Sequence, residues 1–126
     1  MTDNLSTDLL TVAVAVSAGV HAALVPEHWR ERPALGIGFA VAAAALAATA
    51  VALQVSQRRS SSTATAVLLA GLTVLYLVSR LRGLPLTGHE EWDTVGLSTQ
   101  AVQLAGIALA LRPSWSPIRG GLNAHA

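Results

Sequence analysis

Apolar residues along this chain fall into four long blocks separated by short charged connections. Residues 9–26 give eighteen positions without a formal charge, residues 33–57 twenty-five, residues 60–79 twenty and residues 94–111 eighteen. Crossing the hydrocarbon core of a bilayer as a helix takes about 20 mostly apolar residues, roughly 17–25, and each block meets that length. A helix of a water-soluble bundle keeps a polar face, whereas these blocks are apolar nearly all round. The pattern predicts an all-α, membrane-embedded antiparallel four-helix bundle. Its spans are 9–26, 33–55, 63–82 and 90–111 of one transmembrane domain, followed by a flexible tail over 113–126.

Composition sharpens this picture. The chain is 52% hydrophobic and 12% charged, about half the charge of an ordinary soluble domain. With no cysteine, disulfides, thiolate metal sites and thiol nucleophiles are excluded. A net charge of +1 offers nothing to nucleic acid. The leader before the first block carries Asp3 and Asp8 and no basic residue. That is the reverse of a signal peptide's positive n-region, so the first block is expected to remain as a span. The second block is rich in alanine (42–45, 47, 48, 50 and 52), with Gly36 and Gly38 at its entry. Small residues let helices approach closely in lipid; alanine enrichment across a whole genome would give the same run.

All basic residues are arginine, four on each side of a four-span topology. Arg58, Arg59, Arg112 and Arg119 share the side of the termini. Arg30, Arg32, Arg80 and Arg82 lie opposite, with Glu27, Glu31, Glu90, Glu91 and Asp93. Because acids count for little in the positive-inside rule, the unaccompanied Arg58–Arg59 pair favours both termini inside. Trp29 and Trp92 flank the acidic loops and Trp115 the other side, as interfacial aromatics do.

Candidate chemistry gathers at the acidic end. His21 lies within the first span, where an ionisable residue faces the bundle interior and marks a site, or serves as hydrogen-bonding glue between helices. His21 is five residues from Pro26, Tyr76 six from Arg82 and Gln100 six from Thr94, so all three sit roughly 8–9 Å below one surface. With Arg80 they form a candidate polar layer or ligand pocket; Gly38 and Phe39 of the second span reach the same depth. Three polar stripes support convergence: Ser17 and His21; Thr73, Tyr76 and Arg80; Asp93, Gly96, Gln100 and Gln103. Arg80 and Arg82 would snorkel to the interface, or pair with Glu27 or Asp93.

Thr87-Gly88-His89-Glu90 fits a capping box, which starts the fourth helix near Gly88 and sets Glu90, Glu91 and Asp93 against its dipole. Pro26 is expected to open a short interfacial turn. On that helix His89 and Asp93 are four apart on one face. Together with His21, His28 and Glu27 they make a candidate nitrogen/oxygen site for a divalent metal ion of the zinc or copper type. Capping alone explains the same acids. His125 sits in the tail with no partner in prospect. A bis-histidine haem lacks a second histidine at the depth of His21, and no phosphate loop, nucleophile elbow or H-E-x-x-H motif occurs. Every acid lies in a loop or tail, unlike the membrane-embedded carboxylate of a proton-coupled exporter.

The segments Gly19-Val20-His21, Pro26-Glu27-His28-Trp29, Tyr76-Leu77-Val78-Ser79-Arg80, and Gly83-Leu84-Pro85 through His89-Glu90-Glu91-Trp92 together resemble the small, uncharacterised four-span membrane proteins of high-GC actinobacteria. The resemblance covers residues 17–111 and implies the four-span topology, with no activity attached. The residues themselves lead to a non-enzymatic accessory or scaffold subunit in a lipid bilayer, packing with itself or with a larger membrane complex. The alternative is a binding protein for a metal ion or a small redox ligand (quinone or haem) on the acidic side.

Overall fold

The computed structural model describes residues 2–56, 59–85 and 88–112. The expected tail, with Trp115, Arg119 and His125, lies outside the described residues, as do Arg58 and Thr87. The described chain is all-helical, with four helices packed together: α1 (Thr2–Glu31), α2 (Pro33–Val55), α3 (Arg59–Leu81) and α4 (Thr94–Ala110). α2 keeps the predicted bounds, and α3 begins four residues before its predicted start.

α1 likewise begins early, at Thr2 rather than residue 9, and two further boundaries differ from expectation for reasons visible in the packing. α1 runs through Pro26 to Glu31, so Pro26 does not open a turn. Its ring removes one helical hydrogen bond, but the helix resumes because its next turn is held by packing. The His28 ring lies 4.3 Å from that of Phe39. Trp29 rests on Gly36 so closely that a Cβ there would come within 2.7 Å of Trp29 Cα. The reversal occurs instead at Arg32, whose extended backbone (φ −148°, ψ 103°) precedes Pro33 at the head of α2. Proline disfavours helical geometry in the residue before it and suits the first helical turn.

α4 starts at Thr94 rather than near Gly88 or residue 90. The box sequence does not cap it. Asp93 is the N-cap, and its Oδ1 accepts from the Gly96 backbone N–H at 2.6 Å. Upstream the chain makes a tight loop, with Leu84 and Gly88 exchanging two backbone hydrogen bonds of 2.8 and 2.9 Å. Gly83 and Gly88 carry positive φ values of 75° and 73°, a region glycine enters without a Cβ penalty.

Consecutive helices run antiparallel. α1 packs most extensively on α2, and α4 lies against both α1 and α3, while α2 and α3 meet only sparsely. Leu10, Val14, Leu46, Leu53 and Leu69 form the apolar core. Gly106 admits α3 closely, since a Cβ there would meet Leu69 Cδ1 at 2.8 Å. Only 17–22% of the residues in the apolar windows of α1–α3 are buried against protein. Val12, Val41, Val67 and Leu104 instead point outward, between 56% and 68% exposed. Burying one such side chain is worth about 1.5–3 kcal/mol, so a surface of this kind belongs in lipid.

Three helices are long and apolar enough to cross a membrane; α4, at 17 residues, is shorter. At 1.5 Å per residue α4 covers about 25 Å of a hydrocarbon core of roughly 30 Å.

Gly36→Ala is expected to lower stability by about 1–3 kcal/mol, the usual cost of overpacking, because the clash is with backbone. Gly38→Ala, where nothing lies within 4 Å of the added Cβ, is expected to be neutral or slightly stabilising. Thermal unfolding of the two variants in detergent compares them directly.

Candidate functional site

The side-chain contacts between α3 and α4 turn polar toward the loop end. Two predicted stripes meet there residue by residue. Thr73 Oγ1 donates to Gln103 Oε1 at 3.3 Å. Tyr76 fills the space over Gly96, where a Cβ would approach its ring within 2.6 Å. One turn higher, Arg80 Nη2 donates to Asp93 Oδ2 at 2.7 Å. The register of α3 on α4 is therefore set by a polar seam, with glycine placed where the tyrosine needs room.

Arg80 is the centre of this end. Its side chain is 11% exposed, and its Cζ sits 4.7 Å from the Tyr76 ring centroid. Besides Asp93 it pairs with Glu90 Oε2 at 3.6 Å, and Glu90 in turn meets Arg32 Nη1 at 3.4 Å. Glu90 is held in place because its backbone N–H donates to the Ser79 carbonyl at 3.0 Å. Trp92 stands edge-on to Tyr76 at 5.9 Å. Two arginines and two carboxylates thus tie the α1–α2 corner, the end of α3 and the start of α4 into one knot. The expected pairing of Arg80 with Asp93 is present; Arg32 and Glu90 complete a set that spacing alone did not reveal.

His21 stands apart from the candidate polar layer. Its Nδ1 is 2.8 Å from the Ser17 carbonyl, and its ring lies 5.5 Å from Phe39 of α2. No hydrogen bond links it to Tyr76, Arg80 or Gln100. The layer therefore divides between the α1–α2 seam, with His21, and the α3–α4 seam, with Tyr76 and Arg80. Among the described residues, buried Ser17 Oγ, Tyr76 OH, Arg80 Nε, Gln100 Oε1 and Gln103 Nε2 have no hydrogen-bond partner.

The candidate metal ligands are likewise dispersed. His28 Nδ1 lies 2.9 Å from the Leu24 carbonyl, and its ring packs on Phe39. Glu27 is exposed on α1. His89 lies in the loop before α4 and Asp93 at its cap, so they do not share a helical face, and Asp93 is already committed to Arg80 and Gly96. Among the described residues no three histidine, aspartate or glutamate side chains are placed to hold a metal ion.

A part-open groove of about 250 Å³ lies between α1 and α4, lined in part by Val16, Ser17, Val20, Thr99 and Val102. Comparison with known proteins adds no further assignment: no family model, curated protein or solved structure matches the chain.

Asp93→Ala removes both the cap and the ion pair, and is expected to cost about 1–3 kcal/mol, a cap alone being worth roughly 0.5–2. Asp93→Ser keeps a capping oxygen and loses only the charge, so it should recover the capping share. Thermal melts of both variants at low and high salt separate the two contributions, and only the ionic part should fade with salt.

Proposed function

We propose that this chain is a non-enzymatic accessory or scaffold subunit of a membrane, working by packing its outer helix faces against a second copy or a larger membrane complex. The observation that carries this reading is the sparse contact between α2 and α3, which leaves the outer face of α2 free for another helix. Ala40, Ala44, Ala48 and Ala52 are all exposed and recur at every fourth position of α2, and small residues so spaced allow close helix approach in lipid. The short α4 adds to the case, since an adjoining helix would cover the region where it falls short of the hydrocarbon thickness. In the same reading both termini face the cytoplasm of the cell membrane, and the chain stands with the small four-span actinobacterial proteins it resembles.

Extraction in mild detergent followed by native-gel sizing tests the proposal. The expected result is a species larger than one chain plus its micelle. Ala44→Leu or Ala48→Leu, on the exposed face, should shift that species toward the monomer while leaving the thermal midpoint in place. A strict monomer with no co-purifying partner would overturn the reading. Orientation is checked independently by tagging the chain after Leu111: the tag should stay inaccessible to a membrane-impermeant reagent in intact cells and react once they are opened.

A further inference from the structure

We propose that the ion pair between Arg32 and Glu90 is a latch that holds the loop ends of α2 and α3 together, and that loss of the pair opens this edge of the bundle to water. Three edges are closed by packing, α1 on α2, α1 on α4 and α3 on α4, whereas α2 and α3 meet only sparsely. Arg32 is the residue before α2. Glu90 is fastened to α3, since its N–H donates to the Ser79 carbonyl at 3.0 Å and its Oε2 pairs with Arg80 at 3.6 Å. The 3.4 Å contact of Arg32 Nη1 with Glu90 Oε1 therefore crosses the edge that packing leaves weak.

Both anchors are stiffer than the joint. The Arg32 N–H donates to the His28 carbonyl at 2.8 Å, and the Arg32 carbonyl accepts from Leu35 and Gly36 at 2.9 and 3.2 Å. Its guanidinium also lies over Gly88, 3.2 Å from where a Cβ would stand. The joint itself is two partly exposed side chains meeting through one oxygen. Such a pair is screened by salt, so the latch answers to ionic strength at the acidic surface.

Beneath the latch lie groups that gain from opening. Among the described residues, buried Tyr76 OH, Arg80 Nε and Gln100 Oε1 have no hydrogen-bond partner. Tyr76 is one turn below Arg80 on α3, and it covers Gly96, itself one turn from Gln100 on α4. The set mixes donors with an acceptor, and water, unlike hydrocarbon, serves both. Closure leaves each group desolvated and unpaired, a cost that entering water removes. Packing and the latch favour the closed form, and hydration the open one. That opposition gives two forms whose balance a weak interaction can shift.

The test uses the full chain in detergent micelles. Because the chain has no cysteine, Ser79→Cys supplies a single thiol at a buried position whose carbonyl holds Glu90. Alkylation by iodoacetamide, a neutral reagent, reports the fraction of time the edge is open. The expected result is slow alkylation that quickens about 2- to 5-fold when Arg32→Gln is added, the weight of one partly exposed ion pair. Raised salt should quicken it in the parent and not in the Arg32→Gln background, and Arg32→Lys should keep it slow. Thr65→Cys, buried toward the other end of α3, controls for general loosening and should be unaffected by Arg32→Gln. Should Ser79→Cys fail to fold, hydrogen exchange of the Glu90 N–H in the cysteine-free chain reads the same ratio. An alkylation rate at Ser79→Cys that does not change when Arg32 is replaced would overturn the proposal, as would equal acceleration at Thr65→Cys.

Discussion

Hydrocarbon cannot hydrogen-bond a peptide group, and this single constraint organises the molecule. Each span has to close its backbone bonds within itself, which leaves helices as the available form for separate segments of this length. The outward valines and leucines then need no protein cover, and a small interior core suffices. What holds the helices to one another is correspondingly modest: close approach at Gly36 and Gly106, and polar contacts where side chains face inward.

Within that frame, the loop end is the best-defined part of the bundle. Arg80 is nearly buried, and leaving such a charge unpaired would be costly. Asp93 and Glu90 neutralise it, Tyr76 offers its ring face, and Arg32 extends the network to the α1–α2 corner. Because α2 and α3 touch so little, the Arg32–Glu90 contact is one of the links between the two halves. It is partly exposed, so its contribution is specificity of arrangement more than energy.

Much of the fold could be read directly from the positions of charge. The bounds of α2 followed from Pro33 and the uncharged run behind it. The stripes Thr73–Tyr76–Arg80 and Asp93–Gly96–Gln100–Gln103 were visible as helical spacings, and they do meet. Helix ends were less legible. Local chemistry at Thr87–Glu90 imitates a capping box, but Asp93 competes for the same role and also reaches Arg80, a partner distant in sequence. At Pro26 the residue type suggested a turn, whereas tertiary contacts of His28 and Trp29 keep the helix going. A depth count grouped His21 with Tyr76 and Gln100, but it carries no information on rotation about the helix axis, and the contacts of His21 are the Ser17 carbonyl and the Phe39 ring. Ser17 drew notice only as a companion to His21; its unpartnered hydroxyl is a property of the assembled interior.

The tight reversal at Arg32 bears on how the chain enters a membrane. Only one non-helical residue separates α1 from α2, and Trp29 already lies on Gly36 at that corner. The first two helices therefore pair as a hairpin through their own close contacts, and α3 with α4 forms a second. Biogenesis can proceed by delivering two such units in succession, with α1 against α4 as the face along which they finally close.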